Sequence, residues 1–130
     1  MINEMLDVCK SITDLSLIII DCLAYYSDST IQNLNEIAQI FCVPIIVTVE
    51  IPGAAKFRKD HRPVLSDMES PYYRALIKNA DVILFPYRDF YYDNDVAPSL
   101  AECIIAKNRT GSCGTVYLSW DSEGLFFKDA

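Results

Sequence analysis

The sequence predicts an α/β domain with a mixed sheet, mostly parallel, whose C-terminal strands are antiparallel. Three observations predict it. Continuous apolar runs at residues 15–20, 45–49 and 81–85 have the length and composition of strands buried on both faces, as in a parallel sheet. Between them lie segments whose apolar residues recur at helical spacing. Beyond residue 100 the pattern becomes apolar run, glycine-containing turn, apolar run, which is the signature of antiparallel strands.

Each element follows in order. Ile2, Met5, Leu6, Cys9 and Ile12 fall near one helical face, so residues 2–13 read as a helix. The run at 15–20 ends in Asp21 and is the first strand. SDST then offers an N-cap at Asp28 or Ser29. Ile31, Leu34, Ile37, Ala38 and Phe41 form the apolar stripe of the next helix. Pro44 breaks it, and 45–49 is the second strand. Strand, helix and strand within about 35 residues make a βαβ unit, which implies a parallel crossover. Residues 50–66 read as a long loop punctuated by Pro52, Gly53 and Pro63, and a loop of that length is often functional. Asp67 or Ser70 caps a helix with Pro71 in its first turn, ending near Asn79. The run at 81–85 is the third buried strand. YRDFYYDND is a polar, aromatic excursion. Residues 100–106, 115–120 and 125–127 close the chain.

The bulk numbers narrow the function. At 130 residues, 52% hydrophobic and 22% charged, the chain reads as one domain, 1–130, with a real core. A net charge of −7 repels phosphate at long range, so a nucleic-acid contact needs a local basic cluster. KFRKDHR, residues 56–62, is the densest. Five cysteines without metal-ligand spacing, four of them in apolar segments, read as buried free thiols in a reducing, cytoplasmic compartment. The start, MINEMLDVCK, lacks the pattern of a signal peptide. The apolar runs are too short to span a membrane.

Few residues carry chemistry on type and spacing alone. Asp21 ends a strand, and ligands of open α/β sheets bind outside the carboxyl ends of the strands. It reads either as a loop-capping aspartate or as a carboxylate for Mg²⁺. Glu50 follows the second strand in the same way and reads as an exposed loop glutamate or a second carboxylate on that rim. His61 has no Cys or Asp partner suited to nucleophilic catalysis and reads as solvated. Lys56, Arg58, Lys59 and Arg62 are either phosphate contacts or a solvated charged loop. Lys107 and Arg109 stand at the tip of a strand pair. The sequence holds no G-x-x-x-x-G-K-[ST] phosphate loop.

The order and spacing of LSLIIIDCLAYY, VPIIVTVEIP, RPVLSD, ADVILFPYRDFYY and AECIIAKNRTGSCGTVYLSW resemble the C-terminal half of the DnaB-type replicative DNA helicases, over residues 16 to about 128. The resemblance implies a RecA-like ATPase fold of the P-loop NTPase type, ATP and Mg²⁺ as cofactors, and ATP-dependent DNA unwinding in replication. It implies that Asp21 is the Walker B aspartate, supporting Mg²⁺, and that Glu50 stands where the family has a sensor Gln. It implies that Lys107 and Arg109 form a pair reaching the nucleotide of a neighbouring subunit, with Arg109 the arginine finger. Arg58, Lys59, Arg62, Glu69 and Ser70 fall in or near the region whose loops contact single-stranded DNA.

The chain departs from the family pattern at several places. Cys22-Leu23-Ala24 replaces Tyr-Leu-Gln, and Pro52-Gly53 replaces Asn-Arg. The Arg expected before Glu69-Ser70 is missing, and the stretch between Asp67 and Asp81 is longer by about two residues. The family's Walker A strand and P-loop precede the matching region, and that strand lies between those matching 45–49 and 81–85. The expectation is therefore a partial RecA-like domain that binds no nucleotide tightly and does not hydrolyse ATP alone. Its partners would be copies of itself or DnaB-type subunits. The alternative is a non-catalytic interaction or regulatory module of phage or mobile-element origin that docks on a helicase ring or self-associates. A decayed fragment that folds without acting is the third expectation.

Overall fold

The structure, a computed structural model, describes residues 2–23, 27–51 and 53–130. The chain divides into two compact units, residues 1–51 with 70–79 and residues 52–69 with 80–130.

The first unit holds α1 (Ile2–Ser11), β1 (Ile18–Ile20), α2 (Asp28–Phe41), β2 (Ile45–Val47) and α3 (Pro71–Asn79). β1 and β2 pair in parallel, with Ile18 opposite Ile45 and Ile20 opposite Val47, so the expected βαβ unit is present. Leu23, Ile31, Leu34 and Ala75 form its buried centre, with Met5, Ile20, Ile45, Val47, Val49 and Leu76 packed against it. The i, i+3 spacing of Ile31, Leu34 and Ile37 puts all three on the buried face of α2. Pro71 is the first residue of α3, where its missing N–H costs nothing.

Two local expectations change. The N-cap of α2 is Ser27, not Asp28 or Ser29, which are already helical. Ser27 has extended backbone and its Oγ accepts the Thr30 N–H at 3.1 Å, satisfying one of the donors that every helix start leaves open. At the other end Cys42 adopts a left-handed conformation, φ 53°, and its N–H returns to the last carbonyls of α2. The first two strands are also not buried on both faces. Ile19 is 62% exposed and Ile46 49%, because side chains alternate along a strand and the core of the unit gathers on the other face.

The second unit opens with two 3-10 helices, Gly53–Phe57 and Leu65–Met68, inside the stretch expected to be loop. Then come β3 (Val82–Tyr87), a short 3-10 turn at Asp89–Tyr91, β4 (Leu100–Asn108), β5 (Gly114–Asp121) and β6 (Phe126–Asp129). These strands form one antiparallel sheet in the order β3-β4-β5-β6. Antiparallel pairing is therefore more extensive than expected, and β1 with β2 is the parallel ladder among the described residues. The physical reason is the connection into β4. It carries no crossover helix of the length a parallel pair needs, so β4 returns against β3.

The cysteines differ from expectation as well. All five are free, but only Cys9 is buried; Cys22, Cys42 and Cys113 are exposed and Cys103 is intermediate. Cys22 and Cys42 sit at chain reversals with positive φ, which turns them out of the apolar runs beside them.

Candidate nucleotide-site residues and the family they match

β1 and β2 run side by side in parallel, so their carboxyl ends share one rim. Asp21 follows β1 directly. Thr48 follows β2 directly, and its hydroxyl donates to Asp21 Oδ1 at 2.6 Å. The same hydroxyl oxygen accepts the Cys22 N–H at 2.7 Å, and the Cys22 backbone is left-handed, φ 52°. The Thr48 N–H also bonds to the Ile20 carbonyl and the Leu23 N–H to the Thr48 carbonyl, each at 3.0 Å. The aspartate is thus exposed to solvent, yet its orientation is fixed by the hydroxyl and by the backbone bonds on either side of it. An oriented, exposed carboxylate at the end of a parallel strand fits a Mg²⁺ ion or one of its bound waters. Thr48 is the residue that sequence reasoning missed. Its signal was modest: a hydroxyl at the first position past an apolar strand.

Glu50 lies further along the same chain. It is exposed, and its carbonyl accepts the Tyr73 hydroxyl at 3.0 Å. No group of three or more His, Cys, Asp or Glu side chains suited to a metal ion occurs among the described residues. Ala24 and Pro52, two of the departures from the family pattern, lie outside the described residues.

In the second unit, the ladder between β3 and β4 shifts register between Ile83 and Leu84, which face Lys107 and Ile105. Ala106 is the extra residue of a bulge. A bulge re-aims the side chains beside it, and here it immediately precedes Lys107. Arg109 continues the ladder past the strand end through its N–H to the Asp81 carbonyl at 2.8 Å. Its guanidinium meets the Asp81 carboxylate at 2.5 Å, with side chains 55% and 72% exposed. The turn beyond is stitched by Asn108, which donates to the Ser112 carbonyl and accepts the Thr110 N–H, each at 3.3 Å. A Cβ at Gly111 would stand 2.7 Å from Asn108 Nδ2, so glycine keeps this stitch intact. The i, i+2 spacing puts Lys107 and Arg109 on one face of the ribbon.

The basic loop is built differently from a solvated cluster. Arg58 grips Asp67 with both terminal nitrogens and also donates to the Arg62 carbonyl. Asp67 is buried, and its second oxygen accepts the Val64 N–H at 2.8 Å. The hydrogen bond from Arg58 holds its carboxyl below the ordinary range against the opposing pull of burial. Arg62 reaches Glu102 through Nε at 3.0 Å and Nη2 at 2.5 Å and lies over the Tyr87 ring, 4.9 Å to its centre. Its bond to Glu102 raises its affinity for its proton. Lys56, Lys59, Glu69 and Ser70 are exposed, and Glu69 and Ser70 belong to different units. His61 is not simply solvated. Its ring stacks on Tyr92 at 4.4 Å, and Nδ1 lies 3.3 Å from the Ala55 carbonyl.

Residues 1–129 match the sequence profile of the DnaB-like helicase C terminal domain. Replicative DNA helicase DnaC of Bacillus subtilis (strain 168) is 36% identical over 93 residues, 71% of this chain and 20% of that protein. A probable replicative DNA helicase of Trieres chinensis is 32% identical over 132 aligned residues, 88% of this chain and 29% of that protein. The chain therefore spans about a fifth to a third of the length of these relatives. Among solved structures, one described as an ATPase domain superposes with a TM-score of 0.83 at 28% identity, covering 99% of this chain and 50% of that one. A DnaB-like replicative helicase, described with its interactions with primase, gives a TM-score of 0.81 at 27% identity, covering 99% and 34%. The fold is thus that of the RecA-like ATPase domain of these helicases, and the chain belongs to the family of DnaB-like helicase C-terminal domains.

Proposed function

We propose that this chain carries two working parts of a DnaB-like ATP site: a metal-supporting carboxylate, Asp21, and a cationic tip, Lys107 and Arg109, that acts on a nucleotide bound by a neighbouring subunit. The observation that carries the proposal is the Asp21 carboxylate held by Thr48 at the carboxyl ends of two parallel strands. That arrangement orients a ligand for Mg²⁺ of Mg-ATP, and the cation would neutralise charge on the phosphates. The cationic tip supplies what phosphoryl transfer needs from outside, positive charge at the transferring group. The third requirement is a backbone cradle with a lysine for the β- and γ-phosphates. The 130 residues contain no such sequence, so they do not turn over ATP unaided. Single-stranded DNA, as the helicases' substrate, is the polymer such a ring would move along, in the cytoplasm. Of the basic loop, exposed Lys59 is the residue best placed to contribute; Arg58 and Arg62 already serve internal carboxylates.

The test mixes the chain with a full-length DnaB-like helicase whose own arginine finger is replaced. Partial recovery of ATP turnover by the wild-type chain but not by Arg109→Ala supports the proposal. Co-assembly without recovery refutes the tip's role.

One observation favours a second function, an interaction module. Ile19 and Ile46 leave an apolar sheet face open in the first unit, and such faces are usually covered by a partner. If this is its role, the chain associates with a ring or with itself, Ile46→Glu reduces the mass seen by light scattering, and ATP turnover does not change in any mixture.

A further inference from the structure

The second unit contains an open cleft of about 280 Å³ lined by Pro86, Tyr87, Arg88, Tyr91, Tyr92 and Phe127. It uses none of the residues assigned above to nucleotide chemistry. Four aromatic rings and a proline in one small cleft need an explanation, because Tyr91 is 76% exposed and Phe127 is 41% exposed. The rings are also ordered by one another. Tyr92 stacks on His61 at 4.4 Å and takes Tyr91 edge-on at 5.1 Å. Trp120 meets Phe127 edge-on at 4.9 Å and carries the Arg88 guanidinium on its face at 4.4 Å. A ledge whose rings are already held in place gives up little freedom on binding.

Charge selects the occupant. The segment YRDFYYDND, residues 87–95, holds one arginine against three aspartates, Asp89, Asp93 and Asp95. Both guanidinium groups near the cleft are already engaged. Arg62 pairs with Glu102 and approaches Asp89 at 4.0 Å, and Arg88 donates to the Pro98 carbonyl at 3.1 Å while lying on Trp120. A phosphate chain would meet carboxylates here rather than free cations, whereas a chain bearing Lys or Arg would meet complementary charge. Arg88 Nε adds a second criterion. Among the described residues it is the buried side-chain nitrogen without an acceptor, and Arg88 lines the cleft. A docked carbonyl oxygen satisfies it. Proline-rich segments present carbonyls freely, have no proline N–H to leave unpaired, and lie flat on aromatic ledges in the extended left-handed helix they already favour.

We propose that this cleft docks a proline-rich, basic segment of a partner protein, with prolines against Tyr87, Tyr91 and Phe127 and a Lys or Arg facing Asp93 and Asp95. The single tryptophan of the chain, Trp120, lies beside the cleft and reports on its occupancy. The experiment titrates the full chain with a decapeptide of alternating Pro and Arg. It follows Trp120 fluorescence and the amide resonances of Tyr91, Tyr92 and Phe127. The expected result is a saturable change at all four residues. Tyr91→Ala, on an exposed side chain, should weaken it by about tenfold, and so should the double exchange Asp93→Lys with Asp95→Lys. A proline-free peptide of equal charge should bind about tenfold more weakly or worse. No saturable change, or equal binding of the proline-free peptide, overturns the proposal. Saturation by oligothymidylate with the same Tyr91 dependence also overturns it, and makes the cleft a base-stacking site.

Discussion

Thr48 Oγ1 donates to Asp21 Oδ1 at 2.6 Å and accepts the Cys22 N–H at 2.7 Å. One hydroxyl thereby ties the ends of two parallel strands together and aims the carboxylate on which the proposed metal chemistry depends. Groups that orient a metal ligand from behind typically govern metal affinity by roughly 10–100-fold. Thr48→Val keeps the shape and removes the hydroxyl, so Mn²⁺ affinity, read by paramagnetic resonance, should fall by about tenfold. Thr48→Ser should restore most of it. An unchanged affinity in Thr48→Val would mean that Asp21 needs no support.

The Arg58–Asp67 pair makes stability depend on acid. The hydrogen bond from Arg58, assisted by the Val64 N–H, holds the folded carboxyl of Asp67 below its ordinary value. The unfolded carboxyl keeps a pKa of about 3.9. The stabilisation is therefore fully present above that value and is lost as pH falls through the lowered folded value. Asp67→Asn should lower the melting temperature at pH 7 by an amount corresponding to about 1–3 kcal/mol, the cost of leaving buried partners poorly satisfied. The gap between wild type and variant should shrink below about pH 4. A gap that does not change with pH would assign the pair no electrostatic part.

Arg109 and Asp81 pair in the open, with side chains 55% and 72% exposed, and pairs of that kind add little to stability. Arg109→Ala should leave the melting temperature of the chain nearly unchanged. In a ring containing nucleotide-binding subunits it should remove about 10³-fold or more of the turnover at the interface it serves, the scale of an arginine finger. A large loss of stability with no loss of turnover would make Arg109 a structural residue only.

Ser27 caps α2 through the Thr30 N–H. Ser27→Ala should cost about 1 kcal/mol, measured by urea unfolding, whereas Asp28→Ala should cost less because Asp28 lies inside the helix. The reverse order would return the cap to Asp28.

Local pattern carried much of the fold. The apolar stripe of α2, the proline that opens α3 and the hairpin of β4 and β5 all rest on short-range spacings, which a sequence displays directly. What was not legible depends on distance along the chain or on what lies on the far side of an element. Arg62 and Glu102 are forty positions apart, and nothing local in KFRKDHR distinguishes a cation bound to its own sheet from one waiting for a phosphate. Ile19 and Ile46 have strand-core composition, and composition says nothing about which face is covered. Thr48 acquired its role only when β2 placed it beside Asp21. Asp21 itself was legible as a strand-ending carboxylate, and the hydrogen bond that aims it was not. His61 lacked a chemical partner in sequence and found a ring, Tyr92, through the fold.

The most direct measurement is phosphate release from Mg-ATP by the purified 130-residue chain, with Asp21→Ala in parallel. The proposed division of the site, metal carboxylate and cationic tip without a phosphate cradle, gives no turnover above the buffer for either protein. Turnover by the wild-type chain that disappears in Asp21→Ala would contradict it, since the chain would then hold the phosphates by a cradle of its own.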